Sequence, residues 1–171
     1  MVHGGLATPS LRPMKQPQMK APGLALACLL LGGPVLSQVR VIDGDTLALA
    51  GTRWRLAGID APELVQSCLD RQGSPWPCGY LAKGRLVELI GAKPVTCRYE
   101  GTDIYNRHLG ECFAGNLNLN ASMVSGGYAI ANRRYLREQE AAKRAKLGIW
   151  QGAFQSPKDF RKEHLDNSPR K

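Results

Sequence analysis

The sequence has no acidic residue in its first 37 positions, where Arg12, Lys15 and Lys20 are the only charges. It also lacks an apolar run long enough to cross a bilayer as a helix, which takes about 20 residues. The apolar stretch Gly23-Leu24-Ala25-Leu26-Ala27-Cys28-Leu29-Leu30-Leu31 breaks at Gly32-Gly33-Pro34. A basic start, a short apolar run and the segment Val35-Leu36-Ser37 form the pattern of a secretory signal peptide. Residues 1–37 are therefore expected to be cleaved near Ser37-Gln38, leaving an exported protein, periplasmic or extracellular. Met19-Lys20 stands just ahead of the apolar run and is a candidate for the true start. The competing reading is an uncleaved anchor. A lipoprotein built on Cys28 fits poorly, because much of the apolar run follows that cysteine.

No Cys-x2-Cys spacing occurs, which argues against a zinc site made of cysteines. There is no internal repeat and no low-complexity segment. His3 precedes the proposed start, and none of His3, His108 and His164 is assigned a role. Of five cysteines, Cys28 leaves with the signal segment, and Cys68, Cys78, Cys97 and Cys112 remain. An even number in an exported chain reads as disulfides, with three possible connectivities. Cys68–Cys78 and Cys97–Cys112 are favoured because each closes a short local loop. If Cys97 and Cys112 face each other in an antiparallel hairpin, Asp103 to Arg107 form its tip.

What is present is a basic chain with one domain's worth of residues. The whole sequence carries 23 basic and 14 acidic residues, a net charge of +9. Residues 38–171 keep 20 basic and 14 acidic residues, a net +6. That balance suits polyanions without identifying one. A domain of this length buries about two-thirds of its unfolded surface. Ala82, Leu86, Leu89 and Ile90 recur with helical spacing, predicting a first helix over 79–90. Val95 to Tyr99 and His108 to Phe113 supply the hairpin. Asn116 or Asn118 caps a second helix that runs through Met123 and Val124 to Gly126-Gly127. Tyr135 to Leu147 is a third helix, stopped by Gly148, with Ile149 and Trp150 folding back onto the core. Its Arg133, Arg134, Arg137, Lys143, Arg144 and Lys146 read as a solvated face. Residues beyond Pro157 read as a polar, frayed tail.

The chemistry concentrates between Val41 and Glu63. Val41-Ile42 lead into the turn Asp43-Gly44-Asp45, and Leu47 and Leu49 alternate as in a half-buried strand. Trp54 to Ile59 returns as a second strand. Pro62 cannot donate a ladder hydrogen bond, so Asp60-Ala61-Pro62-Glu63 ends it. Asp45 and Asp60 are thus expected at one barrel mouth. With the carbonyl of Ala61 they supply hard oxygens that suit calcium, which takes six to eight such ligands. Glu63 is placed to align or deprotonate a water. Arg55 and Arg107 are placed to bind phosphate oxygens as forks and balance transition-state charge.

These pieces carry a family resemblance. They are Val41-Ile42-Asp43-Gly44-Asp45-Thr46, Arg55-Leu56 with Gly58-Ile59-Asp60-Ala61-Pro62-Glu63, and Asp103-Ile104-Tyr105-Asn106-Arg107. Leu117-Asn118 to Met123-Val124, Gly127-Tyr128-Ala129 and Leu147-Gly148-Ile149-Trp150 follow in order. Together they resemble the staphylococcal nuclease (thermonuclease) family over most of residues 38–171, and the two cysteine pairs resemble an exported bacterial branch of it. The resemblance implies an α+β domain at 38–155, a five-stranded OB-fold barrel with three helices, followed by a polar tail at 156–171. It implies calcium-dependent cleavage of DNA and RNA between phosphorus and the 5′ oxygen, leaving 3′-phosphates. Carried over by position, the calcium ligands fall on Asp45, Asp60 and the Ala61 carbonyl, and the catalytic set on Arg55, Glu63 and Arg107.

The chain departs from the family pattern at four places. Ala61 replaces a common threonine, which a backbone ligand tolerates. Asn106 stands where glycine is usual, and asparagine accepts positive φ. His108 is unusual in its place. Asn132 stands where relatives often carry a tyrosine lining the nucleotide pocket, so stacking there is lost or falls to Tyr135. The expected partners are DNA and RNA, preferably single-stranded, with no stable membrane association after signal cleavage and a monomeric protein. The alternative is a non-catalytic OB module that binds nucleic acid or protein. Retention of every catalytic side chain speaks against it.

Overall fold

The first hairpin forms where the sequence alternates. In the computed structural model, which describes residue 1 and residues 39–166, β1 (Val39–Val41), β2 (Thr46–Leu49) and β3 (Thr52–Leu56) pair antiparallel in succession. Leu47 and Leu56 point inward and are fully buried. The corner between β1 and β2 is closed by the Ile42 N–H donating to the Thr46 carbonyl at 2.9 Å and the Asp45 N–H donating to the Asp43 carboxylate at 3.0 Å. Gly44 belongs to this corner because a Cβ there would sit 2.7 Å from that of Ala61 and 2.8 Å from that of Ala82. Its missing side chain lets the corner press against the segment that carries Ala61.

The second hairpin, β7 (Val95–Thr102) and β8 (His108–Ala114), places Cys97 opposite Cys112, and the two are disulfide-bonded. Its strands extend further than the sequence pattern suggests, with a bulge between Tyr99 and Gly101, and residues 103–107 form the tip. β8 also runs parallel to β3, so the main path of the sheet is β1-β2-β3-β8-β7, with β9 (Leu117–Asn118) pairing β8 off that path. The five strands of this path match the number expected of the OB-fold barrel. β4 (Ile59–Asp60) pairs with β10 (Ile130–Ala131), and β5 (Cys68–Leu69) with β6 (Pro75–Trp76). Trp54, Tyr99 and His108 meet edge to face on the sheet, with ring centroids 5.0 to 6.3 Å apart. His108 is thus part of an aromatic cluster.

The helices pack where apolar periodicity directs them. α1 (Cys78–Ile90) buries Ala82, Leu86, Leu89 and Ile90 against the sheet. Its start lies under Glu63, where a Cβ on Gly79 would fall 1.8 Å from the Glu63 carbonyl oxygen. α2 (Leu119–Ser125) is capped by Asn118, whose side chain accepts from the Ala121 N–H at 3.0 Å. α3 (Leu136–Arg144) stops short of Leu147, and a 3-10 turn over Gly148–Gln151 follows. Ile149 joins the Cys68–Cys78 disulfide in a small second core with Trp76, Trp150 and Phe154.

Beyond the third helix the structure corrects the sequence reading. Residues 158–166, read from the sequence as part of a frayed tail, instead join Pro157 in a fourth helix, α4 (Pro157–Asp166). Ser156 caps it by accepting from the Asp159 N–H at 3.1 Å while donating to the Asp159 carboxylate at 2.6 Å, and Pro157 occupies the first helical position, fully buried. A proline there loses no intrahelical bond. The expected signal segment, its cleavage at Ser37-Gln38 and the alternative start at Met19 lie outside the described residues. No described helix is long and apolar enough to cross a membrane.

Candidate functional site

The corner before β2 and the end of β4 converge on one guanidinium. Arg55 sits opposite Thr46 in the β2–β3 register, which aims its side chain at the Asp45 corner. Asp45 is 3% exposed and Asp60 9% exposed. Asp45 Oδ1 accepts from Thr46 Oγ1 at 2.9 Å and Arg55 Nη1 at 3.0 Å; Oδ2 accepts from the Ala61 N–H at 3.1 Å and pairs with Arg55 Nη2 at 3.0 Å. Arg55 Nη2 also donates to Asp60 Oδ1 at 2.6 Å. The two aspartates therefore share one cation, at the sheet end where the sequence set them.

Burial dominates the electrostatics here. Desolvation pushes the Asp45 carboxyl up to about 7, with Asp43 and Asp60 adding to the rise and Arg55 opposing it. Burial by itself would lower the Arg55 guanidinium, but Asp45 and Asp60 more than offset that and hold it firmly protonated. To a metal, the residues offer two hard carboxylates and the carbonyl of Ala61. Among the described residues there is no cluster of three His, Cys, Asp or Glu that could hold a metal. Such a site relies on backbone, water and substrate oxygens for its remaining ligands.

Glu63 and Arg107 reach the same place from other elements. A cavity of about 580 Å³ is lined by Asp43, Asp45, Arg53, Arg55, Ala61, Pro62, Glu63, Tyr105, Arg107 and Arg161. Asp60 lies behind Arg55 and lines a smaller cavity of about 310 Å³ with Asn132. Arg107 is held at the hairpin tip by Asp103, which accepts from the Arg107 N–H at 2.9 Å and from Nε at 2.7 Å. Burial tends to raise the Asp103 carboxyl, but hydrogen bonds from Arg107 and Tyr105 outweigh it and hold it below its usual range. Asn106 takes φ +58°, so it fulfils the role expected of a glycine before Arg107.

Three residues at or beneath the site escaped the sequence reading. Tyr105, 71% exposed, lines the cavity, and the Arg107 guanidinium carbon lies 5.3 Å from its ring centroid. Tyr135 is elsewhere, its hydroxyl donating to Glu111 at 2.7 Å, and lines neither cavity. Arg161 enters from α4, with Nη1 2.7 Å from Glu63 Oε1 and 3.0 Å from Asp60 Oδ1, and Nη2 3.0 Å from Asp60 Oδ2. Asn120, fully buried, ties Ala57, just after β3, to Gly110 and Cys112 of β8. Tyr105 was readable inside the motif Asp103 to Arg107. Ser156-Pro157-Lys158-Asp159 is the capping signal that predicts α4, although nothing local marks Arg161's target.

Comparison with known proteins agrees with this geometry. Residues 53–152 match the family model described as staphylococcal nuclease homologue. The chain is 33% identical over 160 residues to the succinoglycan biosynthesis protein ExoI of Rhizobium meliloti (strain 1021), covering 86% of this chain and 84% of that one. It is 32% identical over 130 residues to an uncharacterized endonuclease of Escherichia coli O157:H7, covering 70% and 78% respectively. Against the probable staphylococcal-like nuclease CAN3 of Oryza sativa subsp. japonica it is 31% identical over 118 residues, 65% of this chain but 29% of that longer protein.

Proposed function

Because the chain belongs to the staphylococcal nuclease family, we propose that it is a nuclease that hydrolyses phosphodiester bonds of DNA and RNA, with calcium as its metal. The observation that carries this reading is the single cavity lined by Asp45, Arg55, Ala61, Glu63 and Arg107. Asp45, Asp60 and the Ala61 carbonyl are the residues that would hold calcium. Their fit rests on their chemistry: two carboxylates and a backbone carbonyl are the hard oxygen donors that calcium takes. When bound, calcium polarises a phosphoryl oxygen and orients a water.

The rest of the mechanism belongs to the chain's own side chains. The Glu63 carboxylate accepts a proton from the attacking water as its oxygen bonds to phosphorus. Arg55 and Arg107 hold the two non-bridging oxygens and balance the charge that grows on them. The bond to the 5′ oxygen breaks with its electron pair going to that oxygen, which takes a proton from solvent water, and the phosphate stays on the 3′ side. Tyr105, exposed at the cavity edge, offers a stacking face of the kind worth about 1–3 kcal/mol per base. A site that must reach one phosphate with the bases turned aside favours single strands.

The two disulfides support an oxidising compartment, and we propose export through the signal segment 1–37 to a periplasmic or extracellular location, as a monomer. The second reading, an OB module that binds without cleaving, requires neither Glu63 nor a metal. The test is cleavage of a fluorescent single-stranded oligonucleotide by oxidised residues 38–171, in calcium and in chelator, with product ends read by mass spectrometry. Calcium-dependent fragments ending in 3′-phosphate support the proposal. Binding without cleavage at any calcium concentration refutes it.

A further inference from the structure

Glu63 is held from two sides, and both holds lead to α4. The Glu63 N–H donates to Gln66 Oε1 at 3.1 Å. Gln66, 1% exposed, donates in turn to the carbonyl of Gln155 at 2.7 Å, just before the helix begins. From the other side, Arg161 Nη1 is 2.7 Å from Glu63 Oε1 and forms an ion pair with that carboxylate. α4 itself is started by the Ser156 cap and braced at its entry by Gln155 Nε2 donating to Glu163 at 2.9 Å. Backbone and carboxylate of one residue are thus tied to one helix more than 90 residues away.

The same guanidinium also takes up the oxygens of Asp60. Oδ1 receives Arg55 Nη2 and Arg161 Nη1, and Oδ2 receives Arg161 Nη2. A carboxylate has about four lone-pair positions, so three are engaged by guanidinium donors. A metal ligated by Asp60 must compete with Arg161 for what remains and sits beside its positive charge.

Resting on the nuclease reading above, we infer that Arg161 is a positioning residue of the site. It aims the Glu63 carboxylate at the water and, through Asp60, weakens the hold on calcium. One residue then has two opposed effects: it favours the chemical step and disfavours the metal. Neither the hydrogen bonds of the β-sheet nor the core depends on it, and its side chain is 37% exposed. A planar fork is needed for both jobs, because one face must bridge two carboxylates. A lysine supplies the charge at a single point only.

The test uses the oxidised protein, residues 38–171, as wild type, Arg161→Ala and Arg161→Lys. Their urea midpoints are measured first. Single-turnover cleavage at saturating calcium gives the chemical step, and titration calorimetry with calcium alone, without substrate, gives metal affinity. Arg161→Ala is expected to slow cleavage about 10- to 100-fold, as loss of an orienting partner does. Its calcium affinity is expected to rise about threefold or more, as removal of a nearby like charge predicts. Arg161→Lys is expected to recover the urea midpoint but little of the rate, and added guanidinium ion to restore part of the Arg161→Ala rate. Cleavage within threefold of wild type, or calcium affinity that falls in Arg161→Ala, overturns the assignment. If Arg161→Ala does not fold, Arg161→Gln, which also removes the charge, carries the test by the same two criteria. A wild type that binds calcium without cleaving refutes the nuclease reading instead, and the calcium shift still decides whether Arg161 opposes the metal.

Discussion

Asn120 offers the sharpest test of how the fold supports the site. It lies at the start of α2 with no exposed surface, and its carboxamide is fully used: Oδ1 accepts from the Cys112 N–H at 2.9 Å, and Nδ2 donates to the carbonyls of Ala57 at 2.9 Å and Gly110 at 3.1 Å. Ala57 follows β3, which carries Arg55, and Gly110 and Cys112 lie on the parallel neighbour β8. In Asn120→Ala the buried Cys112 N–H loses this partner, as does the part-buried Ala57 carbonyl, whereas Gly110 keeps the Ala57 N–H at 2.8 Å. One buried group left unpaired costs about 1–3 kcal/mol and the second lost hydrogen bond about 1 kcal/mol, so we expect a loss of about 2–4 kcal/mol. Asn120→Asp is isosteric and retains the acceptor for Cys112, yet it sets a carboxylate against two carbonyl oxygens. Its folded-state pKa is then raised above the unfolded value, so the variant gains relative stability as pH falls below that raised value. Urea unfolding at pH 7 and pH 4.5 measures both. A loss under 1 kcal/mol in Asn120→Ala, or an Asn120→Asp protein no weaker than wild type at pH 7, would refute the reasoning.

Three further outcomes follow from single features. Asn106 holds φ +58°, so Asn106→Gly is expected to stay within about 1 kcal/mol of wild type, whereas Asn106→Val should lose about 1–3 kcal/mol from strain in the left-handed region, both read by urea midpoint. The Asp45 carboxyl is pushed up to about 7 from an ordinary value of 3.8, so the native state holds a proton that the unfolded chain has released. In chelator, stability should therefore fall as pH rises from about 4 to about 7 and level off above, and Asp45→Asn should flatten that slope. Removing the Cys97–Cys112 bridge by a double serine substitution should cost about 3 kcal/mol, given a sequence separation of 15, again by urea unfolding.

Much of this could be read from the sequence, for identifiable reasons. Cys97 and Cys112 announced their pairing because two cysteines in one hairpin fix its centre, which put residues 103–107 at the tip. Asp45, Arg55 and Asp60 belong to adjacent strands and corners, so strand alternation alone brings them together. Ala82 to Ile90 show the helical period that buries one face of α1. Arg161 was not readable as a site residue because its partners lie far back in the chain and no local pattern encodes where α4 docks. The helix itself left a signal in Ser156-Pro157-Lys158-Asp159, outweighed by the polar composition that follows. Asn120 was hidden similarly: an asparagine near a capping asparagine reads as surface, and only the packing of α2 against β8 shows it buried. Tyr135 was a plausible stacking residue until its hydroxyl was found on Glu111, where burial and that hydrogen bond push its pKa up to about 12.

The central claim is that Glu63 performs the proton transfer in a metal-dependent phosphodiester cleavage. The most direct measurement is the single-turnover rate of Glu63→Gln on a single-stranded oligonucleotide at saturating calcium, beside wild type. Glutamine keeps the shape and removes the base, so the account predicts a rate lower by about 10²-fold or more with oligonucleotide affinity little changed. A Glu63→Gln rate within threefold of wild type would contradict it.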